Sequence, residues 1–398
     1  MTSPTRLFDL FAALVARISG SDLANPPSIT VRGARSCAIF GAALALLLHP
    51  AVRADNRVDE LPSSAQVSLT PATAPPVALS SASAAAQPAG TPPPAAATHA
   101  ADADAGEVIT LDLDWFDAAR KRAVPVRLYL PAAAVTKRPL PLVVFSHGIG
   151  GSRRGYSYLG RYFASQGIAS LHLQHVGSDR SLWSGNMFGL LGRLQGAAQD
   201  DEAIARVADL KFALDQVLAS AELAPKLDAS RIIAAGHSYG ANTMLLAVGA
   251  RVERNGRVIE LTDPRLKAAI ILSAPPFYGE PDPVKILSAI KVPTLHITAT
   301  EDVIKIPGYY SGAEDRVAVY DATGGARKLL AVFEGGSHSM FTDRAGSGGA
   351  SLNPQVKTAT RELALAFMRS VFDREDTTLA TWPTRFAGIL SRFTTSGH

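Results

Sequence analysis

Apolar residues in this chain follow two spacings that alternate from about residue 124 onward. Short β-branched or leucine-rich runs occupy Val124 to Leu130, Leu140 to Phe145, Ile168 to Leu173, Arg231 to Ala235, Ala268 to Leu272, Thr294 to Thr298 and Leu329 to Phe333. Runs this short that are apolar at nearly every position suit strands buried on both faces. Between them lie longer helical patterns, Asp201 to Glu222, Tyr239 to Arg251 and Pro354 to Phe372. In the first, Ile204, Val207, Leu210, Leu214 and Leu218 recur every three or four positions and so share one helical face. The alternation predicts an α/β domain over residues 107–373, with a mainly parallel central sheet flanked by crossover helices. No repeat of a solenoid period is evident. Residues 374–398, rich in Thr, Ser and Arg, read as a tail.

Ahead of the domain the pattern changes twice. Cys37 to Leu48 is a twelve-residue apolar run preceded by Arg32 and Arg35 and followed by Val52-Arg53-Ala54. That layout is a secretory signal, too short to span a bilayer core of about 30 Å, and it predicts cleavage after Ala54 and a secreted or periplasmic product. A retained anchor is the alternative. From Leu61 to Ala101 there is no charged residue, and prolines stand at eight positions. Residues 55–106 are therefore expected to be an extended linker that cannot form a core.

Composition narrows the chemistry. The chain is 47% hydrophobic and 19% charged, which excludes wholesale disorder. Its net charge of +4 is concentrated in residues 1–54, where five arginines face two aspartates. The domain therefore has no basic stripe for nucleic acid. The single cysteine, Cys37, lies inside the signal, so a cleaved product has no disulfide, no thiol nucleophile and no cysteine-ligated metal.

Gly236-His237-Ser238-Tyr239-Gly240 sits between an apolar strand and a helical run, the context in which a GxSxG pentapeptide projects its serine from a strand-to-helix turn. A serine hydroxyl needs a base to take its proton and a carboxylate to orient that base. Five of the nine histidines precede the elbow strand, His237 lies within the elbow, His296 within a strand and His398 at the end. His338, in the glycine-flanked loop after the last strand, is the remaining candidate base. An imidazole base predicts activity that falls below about pH 6.5. Asp302 follows the strand Thr294 to Thr298, where sites of open α/β sheets form, and is the candidate acid, with Glu301 as substitute.

A tetrahedral intermediate also needs backbone donors. Tyr239, directly after the nucleophile, and Ile149, in the loop Ser146-His147-Gly148-Ile149-Gly150-Gly151-Ser152, are the expected oxyanion hole. His147 reads as a brace for that loop. The glycines lack the spacing of a dinucleotide or phosphate loop. His172 and His175, three apart, do not share a strand face, so no metal site is expected and no cofactor is implied. Trp183, with residues 176–199, is a candidate cap over an apolar pocket, and Phe277, Tyr278 and Met340 are further pocket candidates.

These motifs together resemble the α/β-hydrolase fold. Phe145-Ser-His-Gly-Ile-Gly-Gly-Ser-Arg153, Ala164-Ser-Gln-Gly167, Gln174-His175 and Asp179-Arg180-Ser181 are similar to the platelet-activating factor acetylhydrolase group, and in turn to bacterial proteins called predicted dienelactone hydrolases. Dienelactone hydrolases proper use a cysteine where this chain has Ser238. The acetylhydrolase group has its acid after the strand matching Ala268 to Leu272, which here runs into Ser273-Ala-Pro-Pro276. The resemblance implies a serine carboxylester hydrolase acting on a small ester or a lipid-like substrate. A peptidase or amidase, an acyltransferase and an inactive binding protein are the alternatives on the same fold. Nothing in the sequence sets the oligomeric state.

Overall fold

The computed structural model describes residues 108–132, 138–186, 189–306 and 308–396. The signal over residues 1–54, the linker over 55–106 and the cap residues Met187 and Phe188 lie outside the described residues. In chain order the domain begins with β1 (Val108–Asp117), β2 (Arg122–Pro131), β3 (Leu140–Ser146), α1 (Ser157–Ser165) and β4 (Ala169–Leu173). A short turn of 3-10 helix at Arg180–Trp183 leads to α2 (Leu190–Ala197), α3 (Asp200–Ala219), β5 (Leu227–His237) and α4 (Tyr239–Ala247). The hairpin β6 (Arg251–Arg254) and β7 (Arg257–Glu260) precedes β8 (Leu266–Leu272), α5 (Pro283–Leu287), β9 (Thr294–Glu301) and α6 (Ala313–Ala322). The chain closes with β10 (Lys328–Ser337), α7 (Leu352–Phe372), α8 (Thr377–Arg385) and β11 (Leu390–Ser396).

Nine strands form one sheet in the order β1-β2-β4-β3-β5-β8-β9-β10-β11. The run from β4 through β10 is parallel, while β1, β2 and β11 add antiparallel edges. This is the α/β-hydrolase fold. Its cause is visible in β3, where alternate residues feed opposite layers. Leu142 and Val144 join one core with Val207, Leu210 and Leu214 of α3 and Met244 and Leu245 of α4. Val143 and Phe145 join the other with Leu159 and Phe163 of α1 and Leu363 and Phe367 of α7. Both faces are covered, so the parallel strands are buried on both sides, and chemistry is left to the loops at their carboxyl ends.

Among the elements the sequence pattern does not predict are β1 and those of residues 374–396. β1 was not anticipated, because its apolar positions Leu111, Leu113 and Trp115 alternate with Asp112 and Asp114 instead of forming a run. Such alternation suits an edge strand with one solvated face. Residues 374–396, read as a tail, instead contribute a helix and an edge strand. Leu379 and Trp382 of α8 are buried in the second core. The Trp382 ring packs on Phe333, Phe386 and Phe393, and its Nε1–H donates to the Ala359 carbonyl at 3.1 Å. This ring, together with the antiparallel pairing of β11 to β10, fixes the segment to the sheet. Trp382→Ala is expected to lower the unfolding free energy by about 3–5 kcal/mol, measured by urea unfolding; a change below about 1 kcal/mol would show that the segment is not part of the cooperative core.

Candidate active site

The nucleophile candidate lies at the join of β5 and α4. Ser238 has φ 55° and ψ −126°, a positive φ that costs energy for any residue with a Cβ. The turn is tight because its flanking glycines let backbones touch. A Cβ on Gly236 would lie 2.3 Å from the Gly240 carbonyl oxygen, and one on Gly240 would lie 2.0 Å from the Ser146 carbonyl oxygen. No side chain fits either place.

Three loops bring the predicted residues together. The Ser238 hydroxyl lies 2.9 Å from His338 Nε2, and His338 Nδ1 lies 2.7 Å from Asp302 Oδ1. His338 opens a short 3-10 turn directly after β10, and Asp302 directly follows β9. With Nδ1–H donating to the carboxylate, Nε2 is the free acceptor that faces the hydroxyl. Asp302 is fully buried, and its second oxygen accepts from the Thr298 hydroxyl at 2.7 Å. Burial works against its charge. The His338 imidazole beside it and the Arg316 guanidinium 3.5 Å away outweigh burial and hold the carboxyl well below the usual carboxylate range. Glu301, the substitute acid, is exposed.

The expected backbone donors border the same cavity as Ser238. In the loop after β3 the Gly148 amide donates to the Tyr156 hydroxyl at 3.4 Å and the Gly150 amide to the Ser178 carbonyl at 2.8 Å. The Ile149 amide between them has no acceptor among the described residues. His147 braces the loop as expected, with Nδ1–H donating to the Gly148 carbonyl at 2.7 Å and Nε2 accepting from the His175 amide at 3.1 Å. His172 and His175 are fully buried and engaged elsewhere, His172 with Ser170 and Gly155 and His175 with Ser146 and Asp209.

The cavity beside Ser238 has a volume of about 260 Å³ and a mainly apolar wall, including Leu194, Ile204, Leu246, Ile259, Phe277 and Tyr278. Phe277 and Tyr278 thus line the cavity. Trp183 and Met340 do not. Trp183 lies over the loop after β3, with Nε1–H donating to the Gly150 carbonyl at 2.9 Å. It fills the space a Cβ on Gly150 would need. Met340 is fully buried in the second core, packed against Gly336 beneath the base. Proximity in sequence to a strand end does not say which layer a side chain enters.

Sequence reasoning missed two residues that join the loops. The Tyr156 hydroxyl donates to His237 Nδ1 at 2.8 Å, and His237 Nε2–H donates to the His338 carbonyl at 3.0 Å. Burial, with the neighbouring His338 imidazole, pushes His237 down to about 3, so it stays a neutral ring in one tautomer. One imidazole therefore links the elbow to the backbone of the base. The available signal was a histidine inside GxSxG, a position with no need for a titratable side chain. Tyr156→Phe leaves this buried nitrogen without its donor. It is expected to lower the unfolding free energy by about 1–3 kcal/mol, read by urea unfolding, and an unchanged midpoint would show that the link carries no energy.

No curated protein matches the chain. Residues 121–188 match the family model described as platelet-activating factor acetylhydrolase, isoform II. The matched segment holds β2, β3, the glycine loop, α1, β4 and the Trp183 turn. The chain therefore has the α/β-hydrolase fold and, over the segment that carries its glycine loop, is similar to the platelet-activating factor acetylhydrolases, a likeness that supports hydrolysis of esters.

Proposed function

We propose that this protein is a secreted or periplasmic serine carboxylester hydrolase that works through an acyl-enzyme. The observation that carries the reading is the continuous chain Ser238, His338, Asp302, with contacts of 2.9 and 2.7 Å at the ends of three strands. His338 takes the proton as Ser238 attacks the ester carbonyl and returns it to the leaving alcohol, while Asp302 fixes the imidazole tautomer and balances its charge. The Ile149 and Tyr239 amides receive the oxyanion. Water then attacks the acyl-enzyme by the same route and releases the acid.

The cavity supports an ester with an apolar acyl or alcohol part, since its wall is mainly apolar, with Asp200, Asn242 and Arg254 as polar exceptions. Export rests on the charged, apolar and small-residue order of residues 32–54. Among the described residues no helix is long and apolar enough to cross a membrane.

Labelling with a fluorophosphonate, followed by peptide mapping, is expected to place the adduct on Ser238 and to find none on Ser238→Ala. Adduct elsewhere, or none on folded protein, would refute the assignment. Asp302→Asn is expected to reduce kcat by about 10⁴-fold, because the amide favours the wrong imidazole tautomer; a loss under about tenfold would remove Asp302 from the triad. The acid limb of kcat/KM should follow a single proton. Asp302 is held ionised and His237 neutral through that range, so neither adds a second ionisation. A limb of slope two would show another group titrating in the site.

A further inference from the structure

Arg206, in α3, is completely buried, yet no carboxylate touches its guanidinium among the described residues. A bare buried cation is expensive, so its donors must be satisfied by dipoles. They are. Nε donates to the Thr243 hydroxyl at 2.9 Å, Nη1 to the Ser178 hydroxyl at 2.8 Å, and Nη2 to the Ser146 hydroxyl at 2.9 Å and the His147 carbonyl at 2.5 Å. The guanidinium also lies 4.4 Å from the centre of the Tyr239 ring.

These partners are not scattered. Ser146 and His147 lead directly into Gly148 and Ile149, so Nη2 grips the chain two residues before one candidate oxyanion donor. Thr243 and Tyr239 belong to the first turns of α4, which carries the other. Ser178 extends the grip, because its carbonyl accepts from Gly150, the residue after Ile149. One side chain thus ties together both backbone segments that would face the oxyanion.

Behind Arg206 the network ends in shared negative charge. Ser146 Oγ stands 2.9 Å from His175 Nε2, and His175 Nδ1 stands 3.0 Å from Asp209 Oδ2. The sequence of groups is that of a second Ser-His-Asp chain, but all three residues are fully buried and Ser146 already accepts from Arg206. It therefore serves as scaffolding. Burial, with the nearby arginines, keeps His175 neutral, so its Nδ1–H donates to Asp209. Asp209 also receives Arg120 at 2.8 Å and Arg122 at 2.9 Å. Asp209 is shared with those two arginines, and Glu202 accepts from the Ser178 hydroxyl at 2.7 Å and pairs with Arg122, so both carboxylates reach Arg206 through intervening side chains and not by direct contact. Burial pushes Arg206 down to about 10, which leaves it a cation at neutral pH.

We infer that Arg206 is a positioning residue for ester hydrolysis: it fixes the segments bearing the Ile149 and Tyr239 amides and sets a positive charge behind them that favours the anionic tetrahedral intermediate over the neutral ester. The inference rests on the hydrolase reading above. A preorganised charge of this kind acts on the transition state and little on the bound ester, so it should appear in kcat and not in KM.

The test compares wild type with Arg206→Met and Arg206→Lys, using p-nitrophenyl butyrate for kcat and KM and butylboronic acid as a tetrahedral analogue. Arg206→Met is expected to lose about 100-fold in kcat, the scale on which loss of an oxyanion donor acts, with KM changed less than about threefold. Boronate affinity should fall in parallel with kcat. Arg206→Lys, which keeps the charge but not the fork of donors, should recover about tenfold of the loss. A folded Arg206→Met with unchanged kcat and boronate affinity would overturn the inference, as would a loss that falls equally on KM or that lysine does not relieve. Should Arg206→Met not fold, Arg206→Lys and Thr243→Val carry the same measurements, and wild-type kcat and boronate affinity in both would overturn it. A wild-type protein that neither hydrolyses the ester nor accepts a fluorophosphonate would defeat the hydrolase reading itself, whereas an active wild type with indifferent Arg206 variants would defeat this inference alone.

Discussion

The start of α4 passes so close to the end of β3 that a Cβ at Gly240 would stand 2.0 Å from the Ser146 carbonyl oxygen. That approach sets the rest of the site. It forces Ser238 to a positive φ, turns its hydroxyl toward the loop after β10, and brings the first turn of α4 against the loop after β3. Strain at one residue persists where its surroundings over-determine it, and here the hydrogen bond from the Ser238 amide to the Leu272 carbonyl at 2.9 Å pins the turn to β8 as well. The serine and the two residues expected to supply the oxyanion amides then border one cavity, with the base hydrogen-bonded to the serine, as a consequence of backbone packing.

Around that junction burial sorts the titratable groups by task. His147, His172, His175 and His237 are all pushed down by desolvation and remain neutral hydrogen-bonding rings with fixed tautomers. His338, whose side chain is 20% exposed, meets both the Ser238 hydroxyl and the Asp302 carboxylate. Asp302 gives the opposite case, a fully buried carboxyl kept ionised because a ring donor, a hydroxyl and a nearby arginine oppose its desolvation. Low dielectric surroundings make each of these contacts matter more, and also make each unpaired group costly. The buried polar residues around the site accordingly form linked chains, Tyr156-His237-His338 and Arg206-Ser146-His175-Asp209.

Much of this could be read in the sequence. Fully buried strands write themselves as unbroken apolar runs, so β3, β4, β5, β8, β9 and β10 were visible, and the order of strand, glycine turn and helix around Ser238 was visible with them. His338 and Asp302 were found because each follows a strand whose carboxyl end must lie at one edge of the sheet. The edge strands were less legible. β11 has a sequence, LSRFTTS, with few apolar positions, and it is held by antiparallel pairing to β10 and by Phe393 on Trp382.

Sequence alone determined the α/β alternation, the strained serine turn and the identity of the nucleophile, base and acid candidates, because these depend on local periodicity and on residue types that few other positions require. Tertiary structure decided which side chain faces which layer, and so placed Met340 in the core, Trp183 over the glycine loop and Phe277 at the cavity. It also decided the long-range partners. Arg206 reaches Ser146 across 60 positions, and His237 reaches His338 across 101. No spacing along the chain encodes such contacts; they exist because neighbouring parallel strands deliver distant loops to one edge of the sheet, where burial compels polar groups to find one another.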